Sequence, residues 1–362
     1  MIVIDSHCDT PSRILRLGPG VLRDSGHGHV DVPKLKKGGV DASFFALYTP
    51  ASIEGDAATG YATSMLAATL EAVAGENDLR LARSAADIRK NKAAGLVSVL
   101  LGMENGSPIG KSLPLLRFFH RLGVRYMTLT HNGDNEIADA AAGNGRWHGL
   151  SPFGREVVRE MNRLGMLVDT AHVSDETFYD CLELSSAPIV STHSCCRALC
   201  GHRRNMTDDM IRKMADKGGV IQINFFPCFL SDGFSAFMDR TEAKHPEYAA
   251  AEEAFLADPQ NRDKRARWEG IMDLFKTFPR PGVSEVADHI DHAVKVGGLD
   301  HVGIGTDFDG IGVPPEGLDD ISALPRLFDE LKRRGYSDDA VDKIAGGNFL
   351  RVLEEVERNA KA

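Results

Sequence analysis

Short apolar runs recur along this chain, and polar or amphipathic stretches of helical length separate them. Several of these runs are continuously apolar rather than alternating, which is typical of parallel strands that are covered on both faces. In the stretch after the fifth run, Phe153, Val157, Met161 and Leu164 share one helical face. We predict eight strands, at Ile2–Ile4, Ala42–Tyr48, Leu96–Leu101, Tyr126–Thr130, Met166–Val168, Pro188–Ser191, Val220–Asn224 and His301–Gly305.

Eight strands that alternate with helices predict an α/β fold of the (β/α)8 TIM-barrel type, with residues 1–362 as one catalytic domain. A doubly wound open sheet is the alternative, but no GxGxxG motif follows an early strand. The connection 227–281 after the seventh predicted strand is unusually long, and Tyr248–Leu256 and Arg265–Phe275 within it have helical character. We expect this insertion on the catalytic face, as a lid or an interface element, with a solvated excursion of no role as the equal alternative.

Composition and charge narrow the class of protein. The formal net charge is −10 and no long run of Lys or Arg occurs, which argues against nucleic acid as a partner. No apolar run is long enough for a transmembrane helix, and no secretory leader follows Met1, so we expect a cytoplasmic protein. The six cysteines form no CxxC pair, and buried free thiols are the expectation.

Histidines and carboxylates follow most of the predicted strands, at their carboxyl ends. In a TIM barrel these ends meet on one face and carry the active site. Burying so many of these groups without partners would cost several kcal/mol, and a metal site accounts for them together. The residues are His7 and Asp9 after the first strand, Glu104 after the third, His131 after the fourth, His172 after the fifth, His193 after the sixth and Asp307 after the eighth.

The number of candidate ligands indicates two metal ions. His7 and Asp9 are two residues apart and face the same side of an extended segment. Together with Glu104, His172 and His193 they make five protein ligands, whereas one catalytic zinc typically takes three and a water. Glu104 lies between the two other groups in barrel order, so we predict that it bridges two ions. Histidine and carboxylate ligands favour Zn²⁺, with cobalt or manganese as substitutes.

A site of this kind suits hydrolysis of an amide. A water held between two zinc ions becomes hydroxide near neutral pH and can attack a polarised carbonyl. His131 is surplus to the ligand count, and we predict that it stabilises the oxyanion. Asp307 is predicted to take the proton of the water and pass it to the leaving nitrogen.

The sequence resembles a known family, the membrane (renal) dipeptidases of peptidase family M19. The resemblance runs from end to end of the chain. The chain resembles bacterial members of the family, which carry no lipid anchor. Its segment 227–281 is longer than the corresponding segment of the animal members. The motifs that carry it are DSHCDTP at 5–11, GMENG at 102–106, RYMTLTHN at 125–132, STHS at 191–194, HRRNMTDD at 202–209 and DHVGIGTDFDG at 300–310.

The resemblance implies a zinc-dependent dipeptidase that hydrolyses L-Xaa-L-Xaa dipeptides and also accepts a D residue at the C-terminal position. It implies that Arg204, in the HRRN motif, binds the C-terminal carboxylate of the substrate, a contact that bidentate geometry would make specific. Members of the family are commonly homodimers. The implied ligand sets are His7, Asp9 and Glu104 for one zinc and Glu104, His172 and His193 for the other, with His131 and Asp307 in the roles given above.

Other functions are also compatible with the predicted metal site. Another binuclear amidohydrolase, such as a lactonase or an N-acyl amino acid hydrolase, is the main alternative; lactonases and phosphotriesterases use a carboxylated lysine as the bridge, and no lysine ends the fourth strand here. A deaminase is usually mononuclear, and His7 and Asp9 would then not both be ligands. A barrel that only binds a ligand would be expected to lack a metal ligand or Asp307.

Some histidines and a cysteine are predicted to stand outside the site. His27 and His29 form an HxH pair in a glycine-rich loop, which we interpret as a loop feature. His289 and His292 lie in the predicted helix 284–296, where histidines on the helix surface are expected. Cys8 lies between His7 and Asp9, and its side chain should face away from both.

Overall fold

The structure is a computed structural model that describes residues 1–26, 28–257, 261–275 and 277–361. Within these residues, nine strands form one parallel sheet, in which eight follow one another in the order β1-β2-β4-β5-β6-β7-β8-β9, and β3 pairs with β4 outside this path. The strands are β1 Ile4–Cys8, β2 Ala42–Tyr48, β3 Leu79–Leu81, β4 Val97–Glu104, β5 Val124–Thr128, β6 Leu167–Asp169, β7 Val190–Ser194, β8 Val220–Ile223 and β9 Val302–Ile304.

The sheet closes into a barrel just beyond the end of β9. The backbone N–H of Asp9 donates to the carbonyl of Phe308 at 2.8 Å, and the N–H of Asp307 donates to the carbonyl of His7 at 3.0 Å. These bonds join the last strand to the first. The predicted (β/α)8 TIM barrel is confirmed.

The helices surround the barrel or belong to its loops. Short 3₁₀ turns occur at 19–22, 107–109, 299–301 and 321–323, and a π-helical turn spans 343–347. The helices are α1 Thr10–Leu17, α2 Val32–Lys37, α3 Gly55–Ala74, α4 Ala85–Ala93, α5 Leu113–Leu122, α6 Pro152–Leu164, α7 Asp175–Leu184, α8 Asp208–Asp216, α9 Pro227–Leu230, α10 Asp232–Lys244, α11 Tyr248–Ala257, α12 Arg262–Phe275, α13 Val283–Gly297, α14 Leu324–Arg333, α15 Asp338–Asp342 and α16 Asn348–Arg358.

Local sequence signals explain where helices begin and end. The helix α6 begins after Ser151, whose side chain accepts a hydrogen bond from the N–H of Gly154, and Pro152 occupies its first position. It ends at Gly165, which has a φ of 70° in the left-handed region that glycine adopts readily. The predicted amphipathic stretch over 153–164 therefore coincides with a capped helix.

Four strand predictions, the first, third, fifth and sixth, stop short of the carboxyl ends of the observed strands, and the sixth leaves out His193 of β7. The first strand was predicted at Ile2–Ile4, but β1 continues to Cys8 because its polar side chains find partners inside the barrel. The Ser6 hydroxyl donates to the carbonyl of Thr192 at 2.6 Å, and the Asp5 carboxylate accepts from the N–H of Thr306 at 2.8 Å. The third predicted strand stops three residues before the end of β4, which includes Glu104.

An apolar cluster fills part of the barrel directly beneath the polar strand ends. The ring of Phe44 lies 5.3 Å, between centroids, from Tyr126 and 5.3 Å from Phe349 of α16. Tyr126 is fully buried, and its hydroxyl is 2.8 Å from Nδ1 of His7. The apolar core thus ends at a hydroxyl that contacts a predicted metal ligand.

The insertion 227–281 forms α9 to α12 and reaches the cavity above the carboxyl ends of the strands. Its side chains Met238, Trp268 and Met272 line that cavity. Residues 258–260 and 276 of the insertion lie outside the described residues. Among the helices that the structure describes, none combines the length and apolar character that a membrane crossing requires.

The residues predicted to stand outside the site have mixed outcomes. His27 lies outside the described residues, while Nδ1 of His29 accepts from the N–H of Asp309 at 2.9 Å. His292 is half-buried against Asp208, at 2.7 Å. The expectation of a surface position is wrong for His289, which is 1% exposed. Its Nε2 lies 3.3 Å from the carbonyl of Leu230 in α9, and its Nδ1 accepts from the N–H of Cys196 at 3.0 Å.

All six cysteines are buried and unpaired. The Cys8 thiol contacts the hydroxyl of Ser43 at 3.3 Å, on the side of β1 that faces β2. The expectation of free thiols agrees with this arrangement.

Candidate metal centre and active site

The five predicted ligands converge at the carboxyl ends of the strands. Nε2 of His7 lies 3.5 Å from Oδ2 of Asp9 and 3.5 Å from Oε2 of Glu104. The other carboxylate oxygen of Glu104, Oε1, lies 3.1 Å from Nε2 of His172 and 3.6 Å from Nε2 of His193. Glu104 therefore presents one oxygen to His7 of β1 and the other to His172, in the loop after β6, and His193 of β7.

The residues predicted to act in catalysis lie at the same centre. Nε2 of His131 is 3.9 Å from Oε1 of Glu104, and Oδ1 of Asp307 is 3.9 Å from Nε2 of His7. Three groups of potential ligand atoms within 4.8 Å of one another occur among the described residues, and Glu104 belongs to two of them. The groups are His7, Glu104 and His193; Glu104, His131 and His172; and His7, Asp9 and Asp307.

This grouping includes the predicted ligands but does not reproduce their division into two sets. His131 and Asp307 belong to these groups although their contacts of 3.9 Å are longer than the 3.1–3.6 Å contacts among the predicted ligands. Glu104 and His7 each belong to two of the three groups, and the position of Glu104 between two ions stays a prediction.

The histidines are oriented as metal-binding histidines usually are. Nδ1 of His7 is held by the Tyr126 hydroxyl at 2.8 Å, Nδ1 of His193 by the Thr192 hydroxyl at 2.9 Å, and Nδ1 of His172 by Oδ1 of Asn132 at 3.2 Å. Nε2 is left to face the centre in each case.

The donor set fits a divalent cation. Among the described residues, the buried Nε2 atoms of His7 and His193 have no hydrogen-bond partner. A buried polar atom without a partner is costly, and a cation would supply what is missing at both atoms. Imidazole nitrogens and carboxylate oxygens are ligands that zinc accepts.

A buried carboxylate supports the histidine of β7. Oδ2 of Asp169 accepts from the Thr192 hydroxyl at 2.7 Å, and Oδ1 accepts from the N–H of Thr192 at 2.9 Å and from the N–H of Ala171 at 3.1 Å. Asp169 is fully buried. It fixes Thr192, and through it the ring of His193, while Ala171 links it to the segment that carries His172.

Left-handed backbone conformations cluster at the site. Asn105, His172 and Asp307 have φ values of 77°, 68° and 60°. Such conformations cost of order 1–3 kcal/mol for residues other than glycine, and they concentrate where function requires a particular side-chain direction. Each of the three is a site residue or directly follows one.

The electrostatics of the site are dominated by buried negative charge. Burial raises the pKa of Asp9 to about 6, with the Glu104 charge as the next cause, and burial also raises the pKa of Asp307 to about 7. Burial opposes the charged form of His7, but Glu104 and Asp9 outweigh it and raise the pKa of His7. A cation bound here would relieve the repulsion among the carboxylates.

The remaining histidines are held neutral. Burial, and next the charge of Arg204, lower the pKa of His131 to about 3. The pKa of His172 and that of His193 also lie well below the ordinary value, mainly because of burial. Neutral imidazole is the form that binds a metal ion or donates a hydrogen bond from one nitrogen.

Arg204 stands in the wall of a cavity of about 750 Å³ over this centre. It is 6% exposed, Nη2 donates to the carbonyl of His193 at 3.2 Å, and the guanidinium carbon lies 5.3 Å from the ring centroid of Phe229. Nε has no partner among the described residues. Burial lowers the pKa of Arg204 to about 10, so the group stays charged at neutral pH.

Several supporting residues were missed by reasoning from the sequence. Tyr126 lies in a predicted apolar strand and resembles a core position. Asp169 directly follows the fifth predicted strand as the first residue of DTAH, and that place was the available signal for it. Asn224 ends the seventh predicted strand, and its Nδ2 donates to Oδ2 of Asp307 at 2.9 Å. Asn132 is the residue after His131 in the THN motif.

Comparisons with known proteins identify the family of this chain. The profile of the membrane dipeptidases, peptidase family M19, matches residues 1–362. An uncharacterized dipeptidase of Schizosaccharomyces pombe is 32% identical over 379 residues, which cover 98% of this chain and 80% of that protein.

Solved structures are similar over nearly the whole chain. The crystal structure of a metallo peptidase from Rhodobacter sphaeroides, liganded with a phosphinate mimic of the dipeptide L-Ala-D-Ala, has a TM-score of 0.81 at 27% identity and covers 98% of this chain and 99% of its own. The probable dipeptidase PvdM from Pseudomonas aeruginosa has a TM-score of 0.84 at 28% identity, with 99% and 96% covered.

The chain belongs to the membrane dipeptidase family, peptidase family M19. It is therefore a metallo-dipeptidase on a TIM barrel, and the clustered histidines and carboxylates are its candidate metal-binding groups.

Proposed function

We propose that this metallo-dipeptidase uses two zinc ions to hydrolyse L-Xaa-L-Xaa and L-Xaa-D-Xaa dipeptides. His7, Asp9 and Glu104 would hold one ion, and Glu104, His172 and His193 the other. The observation that carries the proposal is the Glu104 carboxylate, whose two oxygens face different histidines. Zinc ions in such a site acidify a water molecule and polarise a substrate carbonyl.

Arg204 is proposed to bind the free carboxylate of the substrate. It lines the cavity, its guanidinium is buried and charged, and its contacts leave Nε without a partner among the described residues. A guanidinium–carboxylate pair would fix the scissile bond relative to the centre, because the carboxylate of a dipeptide lies one residue from the cut.

Asp307 is proposed to move the proton. Asn224 donates to Oδ2 of Asp307, which leaves Oδ1 directed at the centre. Burial brings the pKa of Asp307 to about 7 in the metal-free chain, in the range where a carboxyl can both accept and release a proton near neutral pH.

His131 is proposed to stabilise the oxyanion that forms on the substrate carbonyl. Its pKa is lowered to about 3 by burial and by Arg204, so the ring is neutral and one nitrogen can donate a hydrogen bond. The ring of Tyr48 packs against it edge-on, with centroids 4.7 Å apart, and restricts its orientation.

The insertion 227–281 is proposed to set side-chain preference. Met238, Trp268 and Met272 of the insertion line the same cavity as Arg204 and Asp307. The family resemblance leaves preference open, since specificity belongs to the loops of a barrel. The single domain over residues 1–362, the homodimer and the cytoplasmic location stay predictions.

A second candidate is an N-acyl amino acid hydrolase, another binuclear amidohydrolase. A cavity of about 750 Å³ is large for a dipeptide alone, and an N-acyl amino acid offers the same amide and free carboxylate.

The test is an assay of the zinc-loaded protein on dipeptides with an L or a D C-terminal residue, beside matched C-terminal amides and N-acetyl amino acids. We expect hydrolysis that requires metal and a free carboxylate, and its loss in Asp307→Asn. Cleavage of the N-acetyl compounds alone would favour the second candidate, and equal cleavage of the amides would remove the role of Arg204.

A further inference from the structure

The segment that carries Asp307 is a tight turn over 307–310 at the point of barrel closure. Asp307 and Asp309 both have left-handed backbone conformations, with φ of 60° and 66°. The N–H groups of Gly310 and Ile311 both donate to the carbonyl of Asp307, at 3.1 Å each. The direction of the Asp307 side chain therefore depends on two unfavourable backbone conformations that something must hold in place.

The carboxylate of Asp309 makes contacts that hold this turn. Its side chain is fully buried. Oδ2 accepts from the Thr10 hydroxyl at 2.8 Å, and Oδ1 accepts from Nη1 of Arg13 at 3.1 Å and from the N–H of His29 at 2.7 Å. In return, the N–H of Asp309 donates to Nδ1 of His29 at 2.9 Å.

These partners belong to two other elements. Thr10 and Arg13 lie in α1, which begins directly after the predicted ligand Asp9, and His29 lies in the loop before α2. Nη2 of Arg13 donates to the carbonyl of Ser25 at 2.8 Å, which ties that loop to α1 as well. One buried carboxylate thus joins the turn, the first helix and the loop.

We propose that Asp309 is a positioning residue: its carboxylate anchors the 307–310 turn to α1 and to the loop before α2, and thereby keeps the Asp307 carboxylate directed at His7. Asp309 borders the cavity, but its side chain is fully buried and acts through Asp307 in this role. The proposal rests on the proposed function of Asp307 in proton transfer.

The close packing around the turn explains why its anchoring would matter for activity. Oδ1 of Asp307 is 3.9 Å from Nε2 of His7, and Nδ2 of Asn224 holds the other oxygen at 2.9 Å. A release of the turn would rotate Asp307 away from both. A displacement of about 1 Å in a reacting group can reduce the rate on the order of 100-fold.

The test compares Asp309→Ala, Asp309→Asn and wild type in the zinc-loaded protein, with kcat, KM, zinc content and melting temperature measured for each. We expect Asp309→Ala to lower kcat by on the order of 100-fold, with KM changed less than about threefold and zinc content retained. Asp309→Asn still offers an oxygen to His29 and Arg13, so it should recover most of the lost kcat.

The matched control is Glu160→Gln in α6, which removes the charge of a buried carboxylate paired with Arg117 of α5 and Arg163 of α6. Glu160 does not line the cavity, so kcat should stay at the wild-type value. If Asp309→Ala fails to fold, Thr10→Val removes one of the hydrogen bonds alone, and a kcat reduction of about tenfold is then expected.

A folded Asp309→Ala protein with kcat within about twofold of wild type would overturn the proposal, as would a loss that appears in KM alone. Failure of the proposed function is distinguishable, because the wild type would then hydrolyse no dipeptide. In that case crystal structures of wild type and Asp309→Ala decide: a displaced 307–310 turn supports the anchoring, and an unmoved turn refutes it.

Discussion

Gly310 allows Asp9 and Asp307 to approach each other closely, and Gly310→Ala is expected to disturb both. A Cβ atom at this position would lie 2.2 Å from Oδ2 of Asp9 and 2.7 Å from Oδ1 of Asp307. Real Cβ contacts rarely come under 3.0 Å, so Asp9 would have to move by about 0.8 Å. The φ of Gly310 is not in the left-handed region, and alanine therefore meets no backbone penalty there.

The size of the effect follows from that displacement. A shift of nearly 1 Å in a reacting or ligating group corresponds to a loss on the order of 100-fold in kcat, and a disturbed ligand environment to a loss of about 10- to 100-fold in metal affinity. We would measure kcat on a dipeptide, zinc affinity by competition with a chromogenic chelator, and the melting temperature.

Gly60→Ala in α3 is the matched control, because a Cβ at Gly60 meets nothing within 4 Å. That variant should keep wild-type activity and gain slightly in stability, since alanine is the better helix former. Wild-type kcat and zinc affinity in Gly310→Ala would refute the reasoning, because the contact with Asp9 would then be relieved without consequence.

Three further predictions concern the metal, its support and the insertion. Tyr126→Phe removes the hydroxyl that holds Nδ1 of His7, so zinc affinity should fall by about 10- to 100-fold in chelator competition; unchanged affinity would contradict this support. Removal of zinc should abolish dipeptide hydrolysis, and zinc at about 100 times its Kd should stabilise the protein by about 2.7 kcal/mol, seen in calorimetry as one transition at higher temperature; two separate transitions would contradict a single domain. Trp268→Ala should alter the ratio of kcat/KM for Phe-containing and Ala-containing dipeptides while zinc content is kept, and an unaltered ratio would count against the insertion as the determinant of preference.

The order of elements could be predicted from the sequence because a short apolar run marks the position of each barrel strand. The strand ends could not be placed as well, since polar residues such as Asp5 and Ser6 continue β1 by bonding to neighbouring strands. Those partners come from residues about 190 to 300 positions away, which no local pattern reveals. The three-residue strand β3 was missed for a different reason: it is too short to show a periodic pattern.

The site was more accessible to sequence reasoning than its support. His7, Glu104 and Asp307 could be assigned because each lies at or just after the carboxyl end of a barrel strand, where such ends must meet. Tyr126 was missed because a tyrosine within an apolar run resembles a core residue until its contact with His7 is seen. Asp169 was missed because its bonds to Thr192 come from a residue that is distant in the sequence. His289 was misplaced because the first helix of the insertion covers its side of α13.

The most direct test of the account is anomalous diffraction at the zinc edge from crystals of the zinc-loaded protein. We expect two peaks, one on each side of the Glu104 carboxylate, with His7 and Asp9 beside one and His172 and His193 beside the other. A single peak, or two peaks that do not share Glu104, would contradict the proposed two-ion centre.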